Sequence, residues 1–517
     1  MLKLTNIEHI FRRAAYVAAA ILLVVALARL GGVLQKRVAY PWDLLTCFES
    51  PHLAAVAKLR NGEPLYGPPS DANSEPYPPL SAWLSYATLK PLGYELDIRA
   101  MRLLAVGITL VTSLVAAAIV RRTLLEAAVA QRTANLLAPL VGGAAFLLLH
   151  LCLTSDQPHP DNLHALHAAV ALRLCQRAAS RERLIPWLVA ASWAAIGFLT
   201  KQTAAFAGLA VVAAYCFHRR THRLAFLGFS GLLALAAVVW TTSDPLRDFH
   251  LRAALAAHQI DWHRAPHILT HHIPNALFPR AAAVLLAAWA LWRTWREPAL
   301  RSFAVCWSAV GFFEVFPAVA GFIKIGGNYN NLSIVDFWLF LIAAPAVLQL
   351  AVGEARLAAC AATCFAGYFI SSLWPTKLSP NEHCYRLGRE VQRLVDADVA
   401  AGRHVWLTAG LTFRFRAGDT ATPRDIGIAH WTLDQSAKLH PAGPAGAALR
   451  EGLRHRLLAG EYDRVYDFFP WEIASRAQLE SRYKKLAPVR GAGYAMHDQH
   501  RGVQPLVNRC EIYERIR

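Results

Sequence analysis

Two carboxylates, Asp43 and Glu49, stand six residues apart in the stretch YPWDLLTCFESP (40–51). The stretch follows the apolar segment AAYVAAAILLVVALARLGG, which is long enough to cross a bilayer, so the pair is expected at a membrane boundary. A carboxylate in that place could take the proton of an attacking hydroxyl group. A loop beside a membrane is also polar because water solvates it, so the pair alone does not distinguish chemistry from solvation.

Four further stretches combine acids, imidazoles, lysines or amides. They are TSDQPHPDNLH (154–164) with Asp156, His159 and Asp161, TKQTA (200–204) with Lys201, WHRAPHILTHHIPN (262–275) with His271 and His272, and FIKIGGNYNN (322–331) with Lys324, Asn328 and Asn330. The prolines on both sides of His159 restrict the backbone and hold the neighbouring side chains in place. Carboxylates and imidazoles at this density could hold a divalent ion, although the chain has no HExxH signature. The sequence therefore requires no metal and leaves a divalent ion as an alternative.

Long apolar runs must position these stretches. Of the 517 residues, 55% are hydrophobic, against roughly 45–50% in a typical soluble domain. The runs predict an α-helical polytopic membrane protein with about eleven transmembrane helices. The segment YPPLSAWLSYATLKPL (77–92) is too short to cross and is predicted to lie at the membrane interface. The predicted spans are 14–34, 98–120, 133–153, 162–179, 185–200, 203–217, 224–242, 277–294, 302–320, 330–350 and 353–374.

Arginine-rich short loops set the predicted orientation. These loops fall on one side, which the positive-inside rule makes cytoplasmic, so the amino terminus is expected inside the cell inner (plasma) membrane. The loops 35–97 and 243–276 and everything after Trp374 are then expected outside, and every cluster described above falls on that outer face. The net charge of +18 lies largely in the inner loops, and no basic-aromatic nucleic-acid module is present. Anionic lipid headgroups, not nucleic acid, are the expected partners of those loops.

Polarity divides the chain into a membrane domain (1–376) and an extracytoplasmic tail (380–517). The tail alternates apolar strand-like and amphipathic helix-like segments, which predicts a small α/β domain. It has no GxGxxG, so it is not read as a nucleotide site. The predicted strands are HVWLTAG (404–410) and DRVYDFF (463–469), and the predicted helices are PAGAALREGLRHRLLAG (444–460) and SRAQLESRYKKL (475–486).

Two local features complete the predicted organisation. Cys384 and Cys510 both lie in the tail, so a disulfide between them could form in an oxidising compartment. In the first outer loop, a helix is predicted to begin at Ser50 and to stop at Asn61-Gly62, with a rough apolar face suited to the bilayer surface.

A sugar carried on a polyprenyl phosphate would suit such an outer-face site. The phosphate gains negative charge as its bond to the sugar breaks, and Lys201, Lys324, His271 or His272 could stabilise that charge. The acceptor hydroxyl needs a carboxylate to take its proton, and Asp43 or Glu49 could do this. Direct displacement with one base inverts the anomeric centre and needs no nucleotide site.

Several motifs carry a resemblance to a known family: WDLLTCFES with the helix after it, the YPPL turn, SDQPHPDN, FLTKQTA and KIGGNYNN. The chain resembles the GT-C superfamily of membrane glycosyltransferases, in the branch of the protein O-mannosyltransferases, the lipid A aminoarabinose transferase and the bacterial polyprenyl-phosphate-sugar transferases. The resemblance implies a polyprenyl-phosphate-linked sugar as donor and a cell-envelope glycan, lipid or protein as acceptor.

By the same resemblance, Asp43 is the first-loop aspartate that serves as base or acceptor-binding residue. The second-loop residues Asp156, His159 and Asp161, with Asn328 and Asn330, would bind the sugar or the acceptor. The mannosyltransferases have adjacent Asp and Glu, whereas here the next carboxylate is Glu49, so the choice of base between Asp43 and Glu49 stays open.

Two other classes of protein remain alternatives. A transporter or flippase of a lipid-linked or small polar substrate would fit about eleven spans with buried charges. Against transport, the halves show no repeat and the clusters lie on one face instead of across the midplane. A structural protein of envelope assembly, with the tail as a binding module, is the third interpretation.

Overall fold

The computed structural model describes most of the chain. The described residues are 2–45, 49–68, 75, 77–151, 155–179, 183–219, 221–256, 266, 270, 281–298, 300–323, 332–353, 379–408, 410–421, 454–468, 479–490 and 509–516. Helices dominate this part of the chain, and a small sheet lies in its carboxyl-terminal region.

Fifteen helices of the described residues are used below. They are α1 (Leu2–Ala39), α2 (Glu49–Arg60), α3 (Leu80–Leu89), α4 (Ile98–Glu126), α5 (Gln131–Leu151), α6 (Pro160–Ala179), α7 (Ile185–Phe198), α8 (Ala205–His218), α9 (Arg223–Thr242), α10 (Pro245–Ala256), α11 (Ala281–Arg296), α12 (Arg301–Ile323), α13 (Ser333–Gly353), α14 (Glu382–Ala400) and α15 (Leu411–Arg416).

The long apolar helices form a bundle. Helix α4 packs between α5 and α6, and α6 also contacts α7, α8 and α12. Alanines at the crossing points bring the backbones close, and two buried tryptophans, Trp187 and Trp307, fill the larger gaps in the core. Many large apolar side chains on the outside of the bundle are exposed, as expected for a surface that faces lipid.

Five helical segments are long and apolar enough to cross a membrane. They are Val17–Ala39, Ile98–Glu126, Gln131–His150, Arg223–Thr242 and Arg301–Gly321. Three shorter apolar helices, Ile185–Phe198, Gln202–His218 and Ile334–Pro345, accompany them. These helices agree with a multi-pass membrane protein.

The predicted count of eleven spans exceeds this set. The spans predicted at 162–179 and 277–294 do form helices, α6 and α11. However, α6 has a polar first half and α11 has only 16 residues, so neither is a full span by length and hydropathy. All but the first residue of the span predicted at 353–374 lies outside the described residues.

Helix α2 is buried within the protein, whereas the sequence predicted it on the bilayer surface. It begins and ends where predicted, with acidic Glu49 in the first turn and a left-handed Gly62 after the last. Its side chains from Glu49 to Lys58 are nearly all buried, because Leu53 and Val56 pack against Leu89, Ile98 and Met101. The surface-helix prediction was therefore wrong, since small alanines let neighbours approach α2 from several sides.

The carboxyl-terminal region contains a five-stranded sheet. Its strands are β1 (Val405–Leu407), β2 (Arg464–Asp467), β3 (Tyr483–Lys485), β4 (Val489–Arg490) and β5 (Arg509–Arg515). Strand β1 pairs parallel to β2, and β5 lies antiparallel to β2 on one side and to β3 and β4 on the other. Strands β1 and β2 confirm two predicted strands, whereas β3 falls inside the helix predicted at 475–486, which was wrong there.

The sheet region shares a core with the first loop. Tyr40, Trp42, Leu44 and Leu45 are buried in one cluster with apolar residues of α14, β1, β2 and β5. Gly388 is required at this contact, because a Cβ there would lie 2.3 Å from the Trp42 ring. The division into domains 1–376 and 380–517 stays a prediction, and four side chains of residues 40–45 contribute to the core of the carboxyl-terminal region.

Cys384 and Cys510 lie buried in this cluster, and both are free thiols. The disulfide considered from the sequence is therefore not formed in this structure. Burial raises the pKa of both thiols, which disfavours the thiolate that disulfide formation requires.

Candidate functional site

Asp43 is completely buried and anchors the start of α15. Its Oδ2 accepts hydrogen bonds from the Leu411 amide at 2.9 Å and from Ser50 Oγ at 2.5 Å. Its Oδ1 accepts from the amide of Thr412 at 3.0 Å and from Thr412 Oγ1 at 2.6 Å. A carboxylate that receives four hydrogen bonds at a helix start is a structural anchor, and a base would have to give some of these bonds up.

We expect Asp43→Asn to destabilise the protein by about 1.5–3 kcal/mol, because an amide cannot accept all four hydrogen bonds. The measurement is unfolding of the purified protein in mixed micelles, followed by tryptophan fluorescence. Asp419→Asn is the control, since Asp419 pairs with Arg414 on the half-exposed far end of the same segment. Unchanged stability of Asp43→Asn together with lost turnover would contradict the anchoring role and support Asp43 as the base.

Glu49 forms a buried ion pair with Arg102 of α4. The distances are 2.6 Å from Arg102 Nε to Oε1 and 2.7 Å from Nη2 to Oε2, and neither side chain is exposed. The remaining donors of Arg102 reach the carbonyls of Arg37, Tyr40 and Trp42, so all five guanidinium N–H groups are bonded. The pair therefore fixes the turn that leads from α1 into the first loop.

Asp156 also makes a buried ion pair. Its Oδ2 lies 2.5 Å from Nε of Arg37, at the end of α1, and both side chains are nearly inaccessible to solvent. This contact joins the first and second loops. Asp156, Asp43 and Glu49 thus each bind a partner from a distant part of the chain, and the base assignments of Asp43 and Glu49 stay predictions.

A second group, the Asp161 cluster, consists of Asp161, Lys201 and His159. The Lys201 ammonium binds Oδ1 of Asp161 directly, and His159 Nδ1 lies 3.1 Å from Oδ2. Asp161 stands in the first turn of α6, and Lys201 precedes a short 3₁₀ turn, Gln202–Ala204, between α7 and α8. The sequence placed all three on one face, and the structure brings them into contact.

The Lys201 ammonium has capacity for a further ligand. It has three N–H donors, and among the described residues one partner, Asp161, is seen for it. The hydroxyls of Thr200 and Thr203 on either side are buried, and no described residue forms a hydrogen bond with them. A buried hydroxyl without a partner costs about 1–3 kcal/mol, so these two hydroxyls, close in sequence to Lys201, favour a polar ligand.

Residues of the first loop close over the Asp161 cluster. The Tyr77 ring meets the His159 ring edge to face, with 5.9 Å between centroids. The Leu80 amide donates to the Leu199 carbonyl at 2.9 Å, which ties the YPPL turn to the end of α7. His52 of α2 contacts Ser85 of α3 at 2.9 Å, and burial, assisted by nearby His159, lowers the pKa of His52 to about 3. His52 is therefore a neutral imidazole. Tyr77, the YPPL turn and His52 are called the wall of the Asp161 cluster below.

Glu75 is a buried carboxyl beside the same wall. Its Oε1 accepts a hydrogen bond of 3.3 Å from the amide of Tyr77, the residue that contacts His159. Burial raises the pKa of Glu75 to about 8, although the Tyr77 amide and the Lys58 ammonium oppose this shift. A carboxyl that titrates near neutral pH suits proton transfer.

Deeper in the bundle, α6 and α12 are joined by His164 and Glu314. His164 Nε2 lies 2.8 Å from Glu314 Oε2, and both side chains are buried. This contact gives each of the two buried ionisable side chains a partner on the other helix.

The remaining sequence-predicted site residues cannot be placed. His271, His272, Lys324, Asn328 and Asn330 lie outside the described residues. Their assignment to the donor phosphate or to the sugar stays a prediction. In the described part of the chain, no three histidines, cysteines or acids meet in a geometry that could hold a metal ion.

Sequence reasoning missed Glu75 and His52 and gave no partner to Arg37 or Arg102. Glu75 lies in SEPY, where any acid of a polar loop looks solvated, so no sequence signal marks its burial. Arg102 did carry a signal, since an arginine inside an apolar segment demands a partner.

One comparison with known proteins relates this geometry to chemistry. Residues 76–242 match the model of a family described as dolichyl-phosphate-mannose-protein mannosyltransferase. The matched segment covers about a third of the chain and contains Tyr77 and the Asp161 cluster, whereas Asp43, Glu49 and Glu75 precede it. No curated protein matches the chain. Together with the apolar helices, the family match supports a membrane glycosyltransferase of the GT-C superfamily.

Proposed function

We propose that this protein transfers a sugar from a polyprenyl phosphate to an acceptor hydroxyl at the outer membrane boundary, with inversion at the anomeric carbon. The observation that carries the proposal is the Asp161 cluster, which lies in the family-matched segment at the ends of α6 and α7. The family description supports a lipid-phosphate sugar as donor. The acceptor, which we take to be a glycan, lipid or protein of the cell envelope, rests on the sequence resemblance.

Lys201 is the residue that we assign to the donor phosphate. Its ammonium is held by Asp161, which fixes its position and leaves donors for phosphate oxygens. The buried hydroxyls of Thr200 and Thr203 could donate to the same oxygens. These groups would stabilise the negative charge that grows on the phosphate as its bond to the sugar breaks.

Glu75 is the residue that we assign to the acceptor proton. The only hydrogen bond seen to its carboxyl among the described residues is the long one from the Tyr77 amide, so this carboxyl can accept a proton with the loss of one weak contact at most. The contact of Tyr77 with His159 supports a position near the Asp161 cluster. Asp43 and Glu49, by contrast, would have to leave an anchored helix start and a buried ion pair.

The reaction then has one displacement step. The acceptor oxygen forms a bond to the anomeric carbon while the bond from that carbon to the phosphate oxygen breaks. The proton of the acceptor hydroxyl passes to Glu75, and the polyprenyl phosphate leaves with the bonding electron pair, held by Lys201. His159 keeps Asp161 oriented and thereby keeps Lys201 in place.

A genetic experiment tests this function and identifies the sugar at the same time. Cells that lack the protein should accumulate its lipid-linked donor, which mass spectrometry of the lipid extract identifies. The wild-type gene should clear the accumulated donor. An absence of any accumulating lipid-linked sugar, together with no turnover of a panel of hexosyl and pentosyl polyprenyl phosphates by the purified protein, would contradict the proposal.

We expect Lys201→Met to lower kcat/KM for the identified donor about 10²–10³-fold, because the leaving phosphate loses its cationic partner. Lys90→Met is the matched control, since Lys90 is exposed and lies over the Tyr86 ring at the end of α3. The measurement is release of polyprenyl phosphate by purified protein. Equal rates for the two variants would show that Lys201 does not serve the donor phosphate.

A further inference from the structure

The carboxyl-terminal region contains a groove between α14 and the sheet, away from the Asp161 cluster. Its volume is about 970 Å³, which is within the range of small-molecule sites. The floor is apolar and contains Leu387, Leu394, Val489 and Ile512. Five arginines line it: Arg386, Arg389, Arg393, Arg403 and Arg464.

The lining of this groove carries a net positive charge. Against five guanidinium groups, its lining contains two carboxylates, Glu390 and Asp398. Asp398 is buried and is shared by Arg403 at 2.8 Å and Arg464 at 3.3 Å, which holds these two guanidinium groups in fixed positions. The lining therefore has an excess of three positive charges, although Glu382 and Glu514, which are not part of it, pair with Arg389 and Arg464.

The arginines of α14 are exposed to a ligand, although Arg389 forms an exposed ion pair with Glu382. Arg386, Arg389 and Arg393 follow one another at helical spacing along the exposed face of α14. Arg393 pairs with Glu390 at 2.8 Å, but both side chains are largely exposed, and such pairs exchange readily with other anions. Arg386 has no carboxylate partner among the described residues, and its closest polar contact is His383 at 3.5 Å.

We propose that this groove binds an anionic saccharide, that is, a sugar chain with carboxylate or phosphate groups, as part of the acceptor. Guanidinium groups bind carboxylates and phosphates with two parallel hydrogen bonds, so a row of arginines selects for such groups. The concave shape favours a discrete chain over a flat membrane surface. The half-buried side chains of Leu394, Leu486 and Val489 offer apolar surface for the less polar faces of sugar rings.

The groove is linked to the Asp161 cluster through α14 and the first loop. The opposite side of α14 packs on Trp42 through Gly388, and Trp42 Nε1 donates to Gln392 at 3.2 Å. Residue 43 then leads into α2, whose His52 lies in the wall of the Asp161 cluster. An acceptor held in the groove thus lies against a helix that packs directly on the first loop. The assignment of the ligand as acceptor rests on the proposed function, whereas the binding itself does not.

Binding of trigalacturonate to the purified full-length protein in detergent tests the proposal, with neutral maltotriose as the uncharged probe. We expect trigalacturonate to bind and maltotriose not to bind, with an affinity that falls as salt rises. The double variant Arg386→Ala/Arg393→Ala should weaken binding about tenfold or more, since two charge-assisted contacts are lost. Both positions are exposed, so the fold should be retained.

The control is Arg252→Ala/Arg482→Ala, which removes the same charge from exposed arginines outside the groove lining. Equal trigalacturonate affinity of the two double variants, or no binding at low salt, would overturn the proposal. Vesicles of phosphatidylglycerol provide a second arm, and binding to them alone that depends on Arg386 and Arg393 would assign the groove to lipid headgroups and overturn it as well. If trigalacturonate binds through the groove but the protein turns over no lipid-linked sugar, the proposed function fails and the saccharide site stands.

Discussion

Replacement of Arg102 by methionine should lower the free energy of unfolding by about 3–5 kcal/mol, since removal of one partner of a buried ion pair leaves the other charge without compensation. The partner left behind is Glu49, whose carboxylate is fully buried. Three backbone carbonyls, those of Arg37, Tyr40 and Trp42, lose their donor at the same time. Unfolding in mixed micelles, followed by tryptophan fluorescence, measures the loss.

Two comparisons make this prediction specific. Arg99→Met lies three residues earlier in α4, where an exposed pair with Asp97 is worth about 0–1 kcal/mol, so it should change stability little. The double variant Glu49→Leu/Arg102→Met should recover part of the loss, because no unpaired buried charge remains. Wild-type stability of Arg102→Met would mean that the pair does not hold the first loop in place.

The ion pairs show which part of the fold a single sequence can predict. Long apolar runs located the helices from α4 to α9, and the capping signals at Asn61-Gly62 located the end of α2. These features depend on neighbours in sequence. The partners of Asp43 in α15 lie 368 and 369 residues away, and Arg37 and Asp156 are 119 residues apart. No local pattern encodes a contact over such a distance.

The candidate site likewise has residues that the sequence could predict and residues whose role it could not reveal. Asp161, His159 and Lys201 were chosen because acids, imidazoles and lysines in prolyl or helix-terminal segments suit chemistry, and the structure places them in contact. The choice of Asp43 rested on its position after the first span and on resemblance. Position in a loop does not reveal that four hydrogen bonds already occupy the carboxylate. Residue type thus predicted membership of a polar cluster better than it predicted a residue's role.

Glu75→Gln should lower kcat/KM for the identified donor about 10²–10⁴-fold, as expected for loss of a general base. The wild-type rate should also depend on pH in a defined direction. Because burial raises the pKa of Glu75 to about 8, most of this carboxyl is protonated at pH 7 and cannot accept a proton. The rate should therefore rise from pH 6 as the carboxylate forms, reach about half its limit near pH 8 and level off above about pH 9.

The contribution of Glu75 to the free energy of unfolding should fall as pH rises, whereas the rate should rise. The folded protein keeps a proton on Glu75 up to a pH of about 8, whereas the unfolded chain releases it near the ordinary pKa of about 4.5. The folded state then binds more protons than the unfolded state over this range, so the contribution of Glu75 to stability falls as pH rises through it. Glu75→Gln should remove that dependence and unfold at a higher temperature than the wild type at pH 9. A folding defect cannot explain low turnover in a variant that is more stable.

The same pH profiles, measured for three variants, show whether Glu75, Glu49 or Asp43 is the base. Glu75→Gln is expected to lose the rise in residual rate between about pH 6 and 9, while Glu49→Gln and Asp43→Asn should keep its midpoint and lose stability instead. Asp43 and Glu49 are held by charge-assisted contacts that form during folding, so their substitution acts on the population of folded protein. A profile in which Glu75→Gln keeps the rise and Asp43→Asn abolishes it at unchanged stability would return the role of base to Asp43. The segment Gly410–Thr412 would then have to leave the carboxylate before each transfer, because Asp43 cannot accept a proton while Leu411 and Thr412 occupy both its oxygens.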